Sequence, residues 1–278
     1  MIRVLKQQGL GVLLLAALLH ACSSDEPRDT QQPQQPQQWS VSIPVGSGAT
    51  RSVYSSDGGT TLKSMWNANQ EVKAYNGSTK VGDLEASENL TGGTTNVTGT
   101  ITGTYTAGSS TLTLYSPAKL SSATYAEYAT QDGTISGANG ISSKDYVTAT
   151  VNVTAVDASR GLLSTSYATF QRLQSFTQFT FSEAVKTVKI SASGMDDITV
   201  TASGDQNVFY LALPLEGSVS YTFACTTNGG VEYRGTVTLN LTHGKYYKTS
   251  IGIAPGVGVT NTSNWTYTSE ESDIDIYF

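Results

Sequence analysis

Charged residues are scarce in this chain of 278 residues, because only 14% are Asp, Glu, Lys or Arg, and the acidic ones are in excess, giving a formal net charge of −6. Loss of Arg3 and Lys6 with the leader described below would take the net charge from −6 to about −8. An acidic surface repels phosphate backbones and anionic lipid headgroups. We therefore expect no nucleic-acid partner.

Cysteine and histidine are also rare, with two of each. Cys22 ends an apolar leader and Cys225 falls in an alternating strand pattern, so no internal disulfide framework is predicted and Cys225 is expected to be a small buried residue. His243, the one histidine after the leader, has no partner in sequence for a metal site. The sequence also lacks a Gly-x-Ser-x-Gly elbow and a Gly-rich phosphate loop. We expect neither an enzyme nor a cofactor, apart from the lipid discussed below.

The chain has one long hydrophobic run, Leu10 to Leu19, which follows the basic residues Arg3 and Lys6. A basic start, a short apolar stretch and a small residue at the end are typical of a secretory signal peptide, which is predicted here as residues 1–21. The run is too short to span a bilayer comfortably. Residues 22–38 are rich in Gln and Pro, cannot bury apolar surface and are predicted to form an extended, disordered tether.

The segment Leu19-His20-Ala21-Cys22 resembles a lipobox, where a bacterial signal peptidase cuts before a cysteine that then receives acyl chains. His20 departs from the small or apolar residue usual at its position. The resemblance implies cleavage between Ala21 and Cys22 and a covalent lipid on Cys22, and the alternative is that Cys22 is incidental. Ser-Ser-Asp-Glu after Cys22 resembles the acidic export signals of Bacteroidetes lipoproteins, which implies a location at the outer membrane and cell surface.

From Trp39 onward the dominant period is two, most clearly from Tyr146 to Ala155, where apolar and polar residues alternate. Helical spacing is not sustained over any long window. The predicted class is all-β, with two β-sandwich domains in tandem at residues 39–165 and 166–278. The boundary is placed there because a new cycle of strands starts at Phe176. Further strands are predicted at 39–45, 185–190, 198–202, 219–225 and 231–241.

Several short segments together resemble the fimbrillin family, whose members are surface lipoproteins of Bacteroidetes that form the stalk, tip and anchor subunits of fimbriae. The resemblance covers most of the mature chain. The residues that carry it are Gly48 to Ser52, the pattern Trp-x-x-x-x-x-Val-x-Ala-Tyr from Trp66 to Tyr75, Leu112 to Pro117, Gln131 to Thr134, Asp145-Tyr146, and Gly244 to Tyr247.

This resemblance implies two transthyretin-like Greek-key sandwiches and assembly with other fimbrial subunits by strand exchange. An Arg-specific protease cuts such subunits after their first strand, and the vacated groove accepts a strand from another subunit. The equivalent strand here is Trp39 to Val45, and the implied cut lies between Arg51 and Ser52. Arg51 also has a simpler interpretation as a solvated arginine in a Gly-rich loop. A cleavable Arg51 favours a stalk or tip role over an anchor.

The C-terminal tail is the proposed donor strand, because alternation resumes after a Gly/Thr/Asn-rich stretch and places Ile274, Ile276 and Phe278 on one face. Those three side chains would plug the groove of another subunit. The alternative, at about equal weight, is that the tail adds an edge strand to its own domain.

A different function class remains open from the sequence alone. A glycan-binding surface lipoprotein of a polysaccharide-uptake system would use exposed aromatic residues, such as Trp66, Trp265 and tyrosines, to stack on sugar rings. The fimbrial hypothesis predicts a loop cut and polymerisation. The glycan hypothesis predicts saturable sugar binding by an intact monomer.

Overall fold

The structure, a computed structural model, describes residues 37–45, 53–56, 62–64, 66, 69–87, 95–253, 263–264 and 266–276. Strands make up most of this part of the chain, whose helices are two short 3₁₀ segments, Ala126–Tyr128 and Ile141–Lys144. The prediction of an all-β protein is confirmed. The predicted leader and residues 22–36 of the predicted tether lie outside the described residues.

The strands form two sheets. In chain order they are β1 (Gln38–Pro44), β2 (Val53–Ser56), β3 (Leu62–Ser64), β4 (Glu71–Asn76), β5 (Thr79–Ala86), β6 (Asn96–Thr102), β7 (Thr111–Ser116), β8 (Val147–Asp157), β9 (Leu162–Thr165), β10 (Gln171–Arg172), β11 (Ser175–Ser191), β12 (Ile198–Leu213), β13 (Gly217–Thr226), β14 (Glu232–Leu241), β15 (Lys245–Gly252), β16 (Ser263–Asn264) and β17 (Thr266–Ile276).

The first sheet closes on itself. Its eight strands lie in the order β10-β8-β7-β4-β5-β6-β1-β9, and β9 also pairs with β8. All of these strands except β10 therefore form a closed ring, whose neighbours are antiparallel apart from the parallel pair β1 and β9. The sheet of the predicted N-terminal domain thus closes into a barrel-like ring, because the hairpin of β8 and β9 brings β9 back onto β1.

The first hydrophobic core fills the ring, because successive side chains of a strand point to opposite faces. In β8, Val147, Ala149, Val151 and Val153 are buried, while the residues between them are more exposed, as their alternation in the sequence predicts. The hairpin of β4 and β5 turns through two residues, of which Gly77 has φ +60°, a conformation that favours glycine.

The second sheet is built on a long hairpin of β11 and β12, which are 17 and 16 residues long. Its order is β16-β14-β13-β11-β15-β17-β3-β2, with β12 also paired to β11. The side of β11 opposite β12 is shared by two strands. Residues 176–181 pair in parallel with β15, and residues 187–191 pair antiparallel with β13.

The second hydrophobic core lies against this sheet and is distinct from the first. Residues 176–253 supply most of it, including Cys225, whose thiol pKa is raised by burial to about 12. Leu62, Tyr128 and Ile141 come from the first half of the chain and are part of the same core. By its backbone contacts the chain from Pro36 to Phe278 is one compact unit. A division into two domains at residues 165/166 therefore stays a prediction.

A buried ion pair beside β8 in the first sheet is hydrogen-bonded to Gln174, which directly precedes β11 of the second sheet. The side chains of Asp145 and Arg172 are 0% and 7% exposed, and Arg172 donates from Nε and Nη2 to the two carboxylate oxygens at 3.0 and 3.3 Å. Gln174 Nε2 donates to Asp145 Oδ1 at 2.8 Å, and Gln174 Oε1 accepts from the Tyr128 hydroxyl and the Tyr146 amide. Burial, and then the charge of Asp145, raises the pKa of Tyr128, so its hydroxyl remains a donor.

The segment between β7 and β8 covers the outer edge of β12. Gln131 donates to the carbonyl oxygens of Tyr128 and Ala212 at 3.0 and 2.9 Å, and its Oε1 accepts from the Ala212 amide at 2.8 Å. The Tyr210 amide donates to the Gly133 carbonyl oxygen at 2.8 Å. These bonds satisfy backbone groups that an uncovered edge strand would leave unpaired.

We predict that Asp145→Ala lowers the free energy of unfolding by about 3–5 kcal/mol, because it leaves the buried Arg172 guanidinium without its counter-charge. Urea denaturation measures the change. The matched control is Asp197→Ala, which breaks the exposed Lys189–Asp197 pair at 2.7 Å and is expected to cost less than about 1 kcal/mol. Equal effects of the two substitutions would contradict the role assigned to the buried pair.

Loss of the hydroxyl group is expected to change the free energy of unfolding in opposite directions at two buried tyrosines. Among the described residues the hydroxyl of Tyr221 has no hydrogen-bond partner, whereas that of Tyr128 donates to Gln174 at 2.9 Å. Tyr221→Phe removes a buried unsatisfied group and is expected to raise the free energy of unfolding by about 1 kcal/mol, while Tyr128→Phe lowers it by about 1–2 kcal/mol. Thermal denaturation of both variants checks the signs, and a destabilised Tyr221→Phe protein would show that the hydroxyl has a partner.

Candidate assembly site

Strand β1 closes the ring and is paired on both sides. All seven of its residues are in antiparallel register with β6, from Gln38 opposite Thr102 to Pro44 opposite Asn96. On its other side Ser40 and Val41 pair in parallel with β9, and the Ser40 amide donates to the Gly161 carbonyl oxygen at 2.8 Å. Without β1 the ring would be open between β6 and β9.

The apolar face of β1 is part of the first core. Trp39, Val41, Ile43 and the following Val45 are all buried. The indole N–H of Trp39 donates to the Gly103 carbonyl oxygen at 2.8 Å, so this large side chain is buried with its polar atom satisfied. Removal of β1 would leave an apolar slot bordered by unpaired backbone groups, which is the arrangement that accepts an added strand.

The connection after β1 leads from the ring to the second sheet. Val45 is the last described residue of the ring at this end. The next two strands, β2 and β3, pair with each other, and β3 also pairs with β17. The predicted cleavage residues Arg51 and Ser52 belong to this connection and lie outside the described residues. A single cut there would remove the only covalent link between β1 and residues 52–278.

The C-terminal strand β17 pairs within its own chain. Residues 266–273 are antiparallel to β15, and residues 274–276 are parallel to β3, with Ile274 opposite Leu62 and Ile276 opposite Ser64. Phe278 lies outside the described residues. Of the two interpretations left open by the sequence, the monomer has the strand added in cis, and its donation to another subunit stays a prediction.

The C-terminal strand β17 lies beside a strand from the N-terminal half of the chain. Because β3 and β15 flank β17, the hairpin of β2 and β3 that follows the predicted cleavage connection contacts the predicted donor strand through β3. The sequence did not predict this neighbourhood, since β2 and β3 are short, carry no long alternation and were not recognised as strands. Release of β17 would therefore also free one side of β3.

The segments that carry the fimbrillin resemblance occupy structural positions wherever they are described. Trp66 packs edge to face on Phe170 with ring centroids 4.9 Å apart in the first core. Gln131 and Asp145 belong to the buried polar contacts given above, and Tyr246 and Tyr247 are buried in β15. The described residues of these motifs therefore contribute to the two cores and to the buried polar contacts between them. Among these described residues no reactive cluster is formed.

Exposed aromatic side chains bear on the glycan hypothesis. Trp66 is 3% exposed and so has no face to offer a sugar, and Trp265 lies outside the described residues. Tyr75 and Tyr115 are half-buried on the outer face of the ring, but their rings are nearly perpendicular at 89° and Lys119 Nζ lies 5.4 and 5.8 Å from the two centroids. This arrangement lacks the flat open platform that sugar stacking uses.

His243 Nε2 lies 2.9 Å from the Pro214 carbonyl oxygen in the turn after β14. Within the described ranges, no three His, Cys, Asp or Glu side chains lie together as metal ligands would. Among those same residues no helix is long and apolar enough to cross a bilayer. The predicted lipidation and signal-cleavage residues, Cys22 and Ala21, lie outside the described part of the chain.

Comparison with known proteins gives weak similarities. No family model and no curated protein matches the chain. A Bacteroides uniformis protein proposed to act in cell adhesion is similar in structure over 84% of this chain and 97% of its own, with 15% identity and a TM-score of 0.43. A second such protein, from Bacteroides eggerthii, covers 87% and 98% at 10% identity and a TM-score of 0.39. A fimbrial assembly protein from Parabacteroides distasonis covers 78% and 91% at 9% identity and a TM-score of 0.30. These values are too low to establish a family.

We predict that Ile43→Ala lowers the free energy of unfolding by about 3 kcal/mol, because Ile43 is completely buried in the first core and its loss leaves a cavity. Ser42→Ala on the exposed face of the same strand is the matched control, with an expected change within about 0.5 kcal/mol. Chemical denaturation measures both variants. If Ile43→Ala were as mild as the control, β1 would not be an integral strand of the ring.

Proposed function

We propose that the chain is a structural or adhesive subunit of cell-surface fimbriae, exported as a lipoprotein and assembled by protease-triggered exchange of β-strands. The observation that carries the proposal is the position of β1. This strand closes the ring and buries its apolar face. Its covalent connection to the rest of the folded chain is the segment that contains Arg51.

The energetics of β1 favour replacement over simple release. Full burial of one large apolar side chain is worth about 1.5–3 kcal/mol, and β1 buries Trp39, Val41 and Ile43. Departure of β1 would also leave N–H and C=O groups of β6 unpaired. An incoming strand that pairs with β6 as β1 leaves avoids both costs. A cut alone is thus expected to leave β1 in place until a donor strand arrives.

The proposed donor is β17 of another copy or of a related subunit, with Ile274, Ile276 and Phe278 as the plugs. Donation requires β17 to leave β15 and β3 of its own chain. Residues 266–273, which pair with β15, are mostly polar in sequence, so we expect their departure from β15 to cost less apolar burial than the departure of β1 would.

The proposal extends to the parts of the precursor outside the described residues. Cys22 carries the lipid after cleavage at Ala21, residues 22–38 hold the folded part away from the outer membrane, and an Arg-specific protease cuts between Arg51 and Ser52. The finer fold assignment, two transthyretin-like Greek-key β-sandwiches in tandem at residues 39–165 and 166–278, belongs to the same proposal and is supported by the two separate cores. The proposed role includes no catalytic step and no cofactor beyond the lipid.

The test is controlled cleavage of a soluble Cys22→Ala variant that begins at residue 22. We predict that an Arg-specific protease cuts after Arg51 and that oligomers then grow, because the cut frees β1 for replacement. Mass spectrometry identifies the site, and light scattering follows the size. The matched control is Arg51→Ala, which is expected to stay monomeric under the same treatment.

A competing cut must be excluded in this experiment. The side chain of Arg160 is 76% exposed in the turn between β8 and β9, so Arg160→Lys is included in every protein to remove a second accessible arginine. The proposed assembly mechanism would be overturned if the protein resists cutting after Arg51. It would also be overturned if the protein is cut there, retains β17 and remains monomeric.

A further inference from the structure

The strand β17 is unusually acidic for a chain with few charges. Glu270, Glu271, Asp273 and Asp275 lie within six consecutive residues, and no lysine or arginine interrupts them. Polar residues outnumber apolar ones in this strand, so charge pairing is a candidate source of its register between β15 and β3.

The register of the two flanking strands supplies that source. Lys248 lies opposite Glu270 and Lys245 lies opposite Asp273 in the antiparallel pairing with β15. On the other side, Lys63 is the register partner of Asp275 in the parallel pairing with β3. Three of the four carboxylate residues of β17 are thus matched with a lysine, and the fourth, Glu271, is opposite Tyr247.

The two lysines of β15 are at register positions on the two opposite faces of the sheet. Residues directly opposite in an antiparallel pair have Cβ atoms about 4.5–5.5 Å apart, close enough for opposite charges to attract. Lys245 and Lys248 are three residues apart, so they lie on opposite faces of β15. Both are half-buried, where a charge is less screened than at a fully exposed site.

The charge pattern distinguishes the observed register from its neighbours. A shift of β17 by one residue would place Ile274 opposite Lys245 in one direction and serines opposite both lysines in the other. A shift by two would put Ser272 or Thr268 opposite Lys248. Within two residues either way, only the observed register gives both lysines a carboxylate partner.

We propose that Lys63, Lys245 and Lys248 make the space between β15 and β3 a docking site selective for an acidic β-strand with carboxylates in the spacing Glu-x-x-Asp-x-Asp. In the monomer the occupant is the chain's own β17. In the strand exchange proposed above, β17 would have to leave this site before it entered the slot of β1 in another copy, and this second statement rests on that proposed function. Because the selection is electrostatic, occupancy of the site weakens as ionic strength rises.

The test is a charge-swap cycle in the soluble full mature chain. The acceptor variant is Lys245→Glu with Lys248→Glu, the strand variant is Glu270→Lys with Asp273→Lys, and the third protein combines all four. Hydrogen exchange of the β17 amides measures docking of the strand, and exchange of the β11 and β12 amides verifies that the second sheet is folded. Glu271→Lys is the control for the effect of one charge reversal in β17 at a position opposite a tyrosine, and it makes the same charge change as Glu270→Lys alone.

Each double reversal turns two attractions into repulsions, so we expect protection of the β17 amides to fall by about tenfold or more. The combined protein restores opposite charges and is expected to return to within about threefold of the starting protection. Wild-type protection is expected to fall between low and high NaCl. A combined protein no better protected than either double reversal, or protection that neither reversal changes, would overturn the proposal.

A smaller charge swap and a readout that does not depend on assembly complete the experiment. If a double reversal unfolds the second sheet, the cycle is repeated on the single pair with Lys248→Glu and Glu270→Lys, judged by the same restoration. The readout is also independent of assembly. If the combined variant restores protection of the β17 amides but the protein cut after Arg51 stays monomeric, the docking site is supported and the strand-exchange function is contradicted.

Discussion

The closure of the ring by β1 is the constraint on which the rest of the structure depends. A strand buried against a core must have its backbone groups paired on both sides, and β1 meets this condition through β6 and β9. The same strand supplies Trp39, Val41 and Ile43 to the first core. Pairing and packing therefore fail together if β1 leaves, and they are restored together if another strand takes its place.

The chain path turns this local constraint into a property of the whole molecule. β1 belongs to the ring, whereas β2 and β3 pair at the far edge of the second sheet beside β17. A cut in the connection that contains Arg51 would separate β1, which fills the groove of its own ring, from β2 and β3. The hairpin of these two strands lies beside β17, the strand proposed to fill the groove of the next subunit. Asp145 accepts hydrogen bonds from both Arg172 of β10 and Gln174, which directly precedes β11, so these contacts join the first sheet to the start of the second.

Sequence patterns predicted the strands whose alternation is regular. β1, β8, β13 and β14 were located within a few residues, because one face of each is buried and the other is wet. The full length of β11 and β12 was missed, since polar residues such as Glu183 and Asp205 interrupt the alternation where the hairpin runs beyond its packed stretches. Closure of the ring was missed as well, because β9 is short and its parallel pairing with β1 has no local signal.

The buried polar residues show a different limit of sequence reasoning. Asp145 was recognised as part of a family motif, but its burial follows from Arg172, which is 27 residues away and carries no signal of its own in the sequence. Likewise, the lysines opposite β17 become meaningful only when the register is known, since Lys63 is distant in sequence from the strand it faces. The resemblance to fimbrillins implied an assembly role for the N-terminal strand, and the alternation that resumes after a Gly/Thr/Asn-rich stretch indicated the C-terminal tail as a candidate donor.

A disulfide staple across β1 and β6 tests most directly whether β1 must leave for assembly. Ser40 and Thr100 are opposite each other and exposed, and because the Ser40 amide donates to Gly161, they form a pair that is not hydrogen-bonded across β1 and β6, with Cα atoms about 4.5 Å apart. In a Ser40→Cys, Thr100→Cys protein cut after Arg51, the account predicts monomers while the staple is oxidised and growing oligomers once it is reduced. Equal growth in both states would contradict it.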